Sequence, residues 1–310
     1  MNCRSSALAG LAALLVLPLA ARAANPFSLQ QIAPGEFVHL GQPLPLDAAG
    51  HDDIANIGFI LGRRCVAVID TGGSVRTGRA LRAAIAERTS LPVCYVINTH
   101  VHVDHLLGNA AFAADHPQFI AHAQLNEALA RSREFFLRTY AADLDPPASP
   151  AQLIGAQRGV PLDGELRIDL GERTLVLHAW PRAHTDCDLS VYDPASGTLW
   201  TGDLLFVRRT PVVDDSVRGW LKVIQALAGQ PVRRFIPGHG EPGIDLAAAL
   251  ATERGYLQML VDQVGTAIAH GRPLQQALKD FPPNDRDRWL LWEETNPHNV
   301  ARVYQELEWE

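Results

Sequence analysis

Eight consecutive residues, Asn98-Thr99-His100-Val101-His102-Val103-Asp104-His105, constrain this chain more than any other stretch of it. They follow the apolar run Val93-Cys94-Tyr95-Val96-Ile97, which reads as a buried strand. Side chains alternate along an extended chain, so His100 and His102 point the same way and can grip one ion. Asp104 and His105 fall where the chain turns, free to reach a second ion nearby. Imidazole and carboxylate together suit zinc, with iron or manganese also compatible. A solvated histidine-rich loop would explain neither the core strand in front of the motif nor the further ligand-type residues behind it.

Those residues arrive in order. His184 opens His184-Thr185-Asp186-Cys187-Asp188-Leu189, after the strand-like run 174–180. Asp203 ends Leu199-Trp200-Thr201-Gly202-Asp203, and His239 lies in Phe235-Ile236-Pro237-Gly238-His239-Gly240. Each is expected at the far end of a strand beside a glycine or a tight-turn residue, where ligands collect in layered α/β folds.

The ordered set His100, His102, Asp104, His105, His184, Asp203 and His239 resembles the metallo-β-lactamase superfamily. The resemblance implies an α/β fold, the four-layer αββα sandwich. It also implies two zinc ions, the first held by His100, His102 and His184 and the second by Asp104, His105 and His239, with Asp203 bridging. Such a pair, roughly 3.5–4 Å apart, activates a water held between the ions as hydroxide. Asp104 is the candidate catalytic residue, orienting that water or taking its proton. Asp70 resembles the family's outer carboxylate, which fixes a ligand histidine; capping the helix that follows is an equal alternative. The block Asn56 to Gly62, with Cys65 to Ser74, further resembles the quinoprotein relay system zinc metallohydrolases. These are exported members of the superfamily, which implies a functional link to quinoprotein dehydrogenases.

Two departures narrow the chemistry. The commonest zinc β-lactamases carry a cysteine where Asp203 stands. Glyoxalase II enzymes show His-Thr-Pro-Gly where this chain has His184-Thr185-Asp186-Cys187, and their glutathione-holding cationic clusters have no counterpart here. The reading is therefore an exported dinuclear zinc hydrolase of ester-like, thioester or lactone bonds in small molecules, neutral or weakly charged. The alternatives are a β-lactamase and a non-catalytic, metal-dependent cofactor-binding or maturation factor.

Arg4, the apolar stretch from Ala7 to Ala21 and the site Ala21-Arg22-Ala23 form a secretory signal peptide over residues 1–23. Residues 24–310 then make one hydrolase domain, periplasmic or secreted, with no membrane anchor. Removing Arg4 and Arg22 takes the formal charge from −7 to −9. That acidity excludes a nucleic-acid partner, which needs clustered Lys and Arg. Cys65, Cys94 and Cys187 remain in the mature chain. Cys65 and Cys94 read as small buried hydrophobes rather than a pair, because adjacent-strand disulfides need unusual geometry. Cys187 reads as a packing residue.

Short strand-like, largely apolar runs predict strands at 37–39, 56–61, 65–70, 93–97, 166–169, 174–179, 188–192, 198–201 and 234–237. Helices are expected at 75–88, near Asn109, and at 124–140, 216–228, 244–270, 273–280 and 299–308. Pro146, Pro147 and Pro150 mark 141–160 as a loop, placed over the active site. His39, His116, His178 and His270 read as surface or packed residues, and His122 as a helix cap. His51 with Asp52 and Asp53 reads as a solvated loop, and Asn299 as the cap of the last helix.

Overall fold

The computed structural model describes residues 27–279 and 283–309, so residues 1–23, expected as a signal peptide, lie outside the described residues. The first half runs β1 (Gln30–Ala33), β2 (Glu36–His39), β3 (Ile57–Leu61), β4 (Val66–Ile69), α1 (Val75–Ala86), β5 (Val93–Ile97), α2 (Val103–Leu106), β6 (Gln118–His122), α3 (Leu125–Thr139) and β7 (Arg158–Val160). Its strands lie in sequence order in one seven-stranded sheet. The second half runs β8 (Glu165–Asp169), β9 (Thr174–Ala179), β10 (Leu189–Asp193), β11 (Thr198–Phe206), α4 (Val217–Ala228), β12 (Arg234–His239), α5 (Leu246–Ala269), α6 (Leu274–Ala277) and α7 (Trp292–Glu308). Its five strands are ordered β12-β11-β10-β9-β8.

Alternation decides what each face of the sheets buries. On β4, Ala67 and Ile69 point into the layer between the sheets, joined there by Ile60, Leu177, Val191 and Trp200. Val66 and Val68 point outward instead, against Leu81 and Ile85 of α1. On β11, Trp200 faces the inter-sheet layer while Leu199 packs with α4, α5 and α7. Helix, sheet, sheet, helix is the αββα sandwich. Caps set the helix starts as well. Ser74 accepts from Thr77 N at 3.0 Å to open α1, and Ser216 accepts from Gly219 N at 2.9 Å to open α4, each worth about 1 kcal/mol.

Several expectations need correcting. Cys65 and Cys94 form a disulfide, with Cα atoms 5.7 Å apart. The parallel pairing of β4 with β5 jumps from Val66↔Val93 to Ala67↔Tyr95. That irregularity leaves Cys94 as the extra residue opposite the break, which is the unusual geometry that adjacent strands otherwise lack. Cys187 is buried and free. The segment 141–160 holds two short 3-10 turns and edge strand β7, and lines no part of the metal cavity described below. Asp143 accepts from His51 Nε2 at 3.0 Å, and Arg79 on α1 pairs with Asp145. Nor is the His51 turn a solvated loop. Asp52 is buried and gathers Ser74, Thr77 and Arg76. Finally, α7 begins at Trp292 and carries Pro297 inside it, so Asn299 lies within the helix rather than capping it.

Candidate metal centre

The motif begins as β5 ends. Asn98 and Thr99 are buried behind it, and the one-turn helix α2 presents Asp104 and His105. His184 comes from the loop between β9 and β10, and His239 is the last residue of β12. Asp203 does not end its strand as expected. β11 continues to Phe206, and its pairing with β12 shifts register around Gly202. Gly202 has φ +53°, and a Cβ there would meet Thr99 at 2.6 Å. At Gly238 a Cβ would fall 1.8 Å from Asp203 Oδ1. Two glycines thus admit the carboxylate between the sheet ends.

All seven residues converge. His102 Nδ1 lies 3.0 Å from His184 Nε2. Asp203 Oδ2 is 3.7 Å from His100 Nε2, 3.4 Å from His184 Nε2 and 3.3 Å from His239 Nε2. Asp203 Oδ1 is 3.2 Å from His105 Nε2, and Asp104 Oδ2 is 3.3 Å from His239 Nε2. His100, His102, His184 and Asp203 form one group able to hold a metal ion, and Asp104, His105 and His239 another. Within each group the ligand-type atoms lie within 4.8 Å of one another.

A metal ion fits this donor set, on the evidence of what the atoms lack. His100 Nε2, His105 Nε2 and Asp203 Oδ1 are buried with no hydrogen-bond partner, which is costly unless something else satisfies them. The opposite ring nitrogens are all engaged. His105 Nδ1 meets Asp70 at 2.8 Å, and His100 Nδ1 meets Thr99 Oγ1, which donates onward to Asp70. His184 Nδ1 donates to Val212 O at 2.7 Å, and His239 Nδ1 to Ile54 O at 2.8 Å. His102 Nε2 meets Asp214 at 2.7 Å. Outward partners of this kind fix the tautomer and leave the other nitrogen free to ligate. Asp70 is therefore the outer carboxylate, while Ser74 caps α1.

Burial pushes His184 down to about 4 and holds His100 well below its usual range, which favours the neutral imidazole that binds metals. Burial opposes charge on Asp203 as well, but His239 and His105 outweigh it and keep the carboxyl well below the usual range. For His102, burial is outweighed by Asp214, which raises the imidazole to about 8. Protons and ions compete for such a nitrogen, so metal uptake weakens as pH falls.

Sequence reasoning missed how the centre is braced. Val212 O and Asp214, the outward partners of His184 and His102, belong to one segment that α7 holds. Asn299 accepts from Val213 N at 2.8 Å and donates to Pro211 O at 2.6 Å. His298 donates to Asp214 Oδ1 at 2.8 Å. Asn56 fastens the other side, donating to Pro237 O and Gly240 O around His239. The site opens into a cavity of about 730 Å³, walled by Phe135, Phe136, Tyr140, Leu46 and Leu291 and containing Arg209. None of these partners sits near the motif in sequence. Among the remaining histidines, two are tied into the fold. His39 meets Asp53 at 2.6 Å, and His122 accepts from Gln124 N just before α3.

The fold and site together define the class. Residues 51–239 match the metallo-β-lactamase superfamily model, and the chain belongs to that superfamily. Among solved structures it is similar to the stereoselective inverting sec-alkylsulfatase Pisa1 from Pseudomonas sp., at 20% identity and TM-score 0.68 over 90% of this chain. The chain spans about 50% of the sulfatase's length. It is also similar to metallo-β-lactamases from Pontibacter korlensis (17% identity, TM-score 0.60) and Hirschia baltica (18%, TM-score 0.58). Each covers 74% of this chain, and the chain covers 98% and 96% of them respectively. At these identities the likeness is one of fold. Curated proteins include no match to the chain. No helix among the described residues is long and apolar enough to cross a membrane.

Proposed function

We propose that the protein is an exported hydrolase that holds two zinc ions and opens ester-like, thioester or lactone bonds in small molecules. One observation carries the reading: five histidines have one ring nitrogen engaged outward, and four of them, His100, His105, His184 and His239, turn the other toward a shared, buried carboxylate, Asp203. His100, His102 and His184 would hold the first ion and Asp104, His105 and His239 the second, with Asp203 between them. When bound, the ions would supply a water of lowered pKa and positive charge opposite the developing oxyanion.

The chain's own residues do the rest. Asp104 lines the cavity, and although burial opposes its charge, His105 and His239 keep its carboxyl ionised. It is thus placed to take the proton of an attacking water. Phe135, Phe136, Tyr140 and Leu291 present an apolar wall that binds an acyl chain and excludes bulk water. Purified protein loaded with zinc is expected to hydrolyse a thioester or lactone faster than bis-p-nitrophenyl phosphate or penicillins, with chelator abolishing the rate and zinc restoring it. Chelator-insensitive turnover, or phosphodiester cleavage above acyl cleavage, would refute this.

Export and a link to quinoprotein dehydrogenases belong to the same proposal. They are supported by the leader ending Ala21-Arg22-Ala23 and by the block Asn56 to Gly62 with Cys65 to Ser74. Intact-mass measurement on periplasmic material should give a chain starting at Ala24, and deleting the gene should lower quinone-dependent dehydrogenase activity. A chain retaining Met1, or an undiminished dehydrogenase, counts against the respective half.

A further inference from the structure

Helix α5 lies past the end of the superfamily match, yet one of its side chains reaches back to the strand that carries Asp203. Glu253 is fully buried, and its Oε1 accepts from Phe206 N at 2.8 Å. That is the side chain's one hydrogen bond, because Oε2 is buried with no partner. Burial, opposed only in part by the bond from Phe206, pushes the carboxyl well above its usual range, so it sits there as the neutral acid. A half-satisfied carboxyl in a core costs free energy, and an apolar side chain would fill the same space without that cost. What Glu253 holds is the end of an irregular stretch. β11 pairs with β12 at Gly202 and again at Phe206, the register shifts between those points, and Asp203 stands inside the interval. Trp220 Nε1 ties the middle of it through Leu204 O at 3.2 Å, and Glu253 ties the far end.

Phe206 is where that tie reaches the metal centre. Its ring lies stacked on His239, with centroids 5.1 Å apart at 15°, and meets His184 at 5.7 Å and 62°. The two imidazoles belong to different groups, His184 to the first and His239 to the second. One aromatic plate thus backs a ligand of each ion, and it is anchored from the helix layer. We propose that Glu253 is a positioning residue for both ions: by fixing Phe206 N it sets the plate against which His184 and His239 are aimed, and it closes the stretch of chain that carries Asp203. This rests on the two-ion hydrolase reading and adds a determinant to it. The role needs an acceptor at that point and no charge, so glutamine should perform it and an aliphatic residue should not.

The test reads zinc affinity by competition with a chromophoric chelator, beside denaturant unfolding of the metal-free protein. Glu253→Leu should weaken both ions, each by about tenfold to a hundredfold, the usual cost of losing a partner that orients a metal ligand. Glu253→Gln should stay within about twofold of the wild type, because its amide oxygen still accepts. Leu81→Ala, in the helix layer of the other sheet, lowers stability without touching this path and should leave both affinities unchanged. If Glu253→Leu does not fold, Phe206→Leu removes the plate and should weaken both ions to the same extent; unchanged affinities there overturn the proposal. Wild-type affinity for either ion in Glu253→Leu overturns it too, as does a Gln variant as weak as the Leu variant, which would make charge the agent. So does a loss in Leu81→Ala equal to that in Glu253→Leu, because affinity would then follow stability alone. A wild type that takes up a single zinc defeats the two-ion reading instead. Glu253 is then judged on that one ion, and its role fails if the Leu variant holds it as tightly.

Discussion

Asp203→Ala is expected to abolish hydrolysis, by about a thousandfold or more, and to leave the protein holding one ion rather than two. Asp203 is the one side chain whose two oxygens face both groups, Oδ1 toward His105 and Oδ2 toward His100, His184 and His239. Removing it deletes the shared ligand and leaves four imidazoles turned toward a point with no negative charge. The three histidines of the first group can still grip an ion at reduced affinity, because their outward partners are untouched. For scale, losing a single transition-state donor elsewhere costs about 10²–10³ in kcat, and this change removes the element that sets where both ions sit. Elemental analysis alongside turnover checks it. Two tightly held ions in the variant would show that the bridge has been assigned to the wrong residue.

Trp220→Ala should cost about 3–5 kcal/mol of stability, the usual range for emptying an aromatic site in a core. The side chain is fully buried between α4 and β11, and its Nε1 donates to Leu204 O at 3.2 Å. The indole also meets the His184 ring, with centroids 5.4 Å apart at 63°. Loss of that wall leaves the ring held at Nδ1 and by Phe206 on one side, so affinity for the first ion should fall about tenfold along with stability. Trp220→Phe should recover most of both. Denaturant unfolding of the metal-free protein, with chelator competition on the loaded one, separates the two effects. A stability loss below about 1 kcal/mol would mean the cavity collapses and the indole is not a structural wall.

The centre was legible because its chemistry is local. His100 to His105 follow a strand by a fixed few residues, and extended geometry alone puts two imidazoles side by side. His184 and His239 could be placed because each follows an apolar run beside a turn residue. Asp203 falls in the converging group but was placed wrongly in its strand, since nothing in Trp200-Thr201-Gly202 announces that a bulged strand continues to Phe206. The disulfide was hidden for a related reason, as the break between Val66 and Ala67 is a property of pairing and not of either strand. Asp214 and Arg209 belong to no motif and went unread. Their neighbours come from elements distant in sequence. β6, within Gln118–His122, went unread because its short apolar core does not stand out between two helical segments.

The bracing by α7 bears on how the protein could be cut or recombined. The superfamily match ends at His239, where the last of the seven ligand-type residues stands, and a designer trimming to that boundary would keep every one of them. The rods that aim two of them would be thrown away. Asn299 and His298 hold the 211–214 segment, which in turn points His184 and His102. A transplanted core would carry the right residues in the wrong orientation. The heritable unit of this family and the mechanical unit of this chain have different edges.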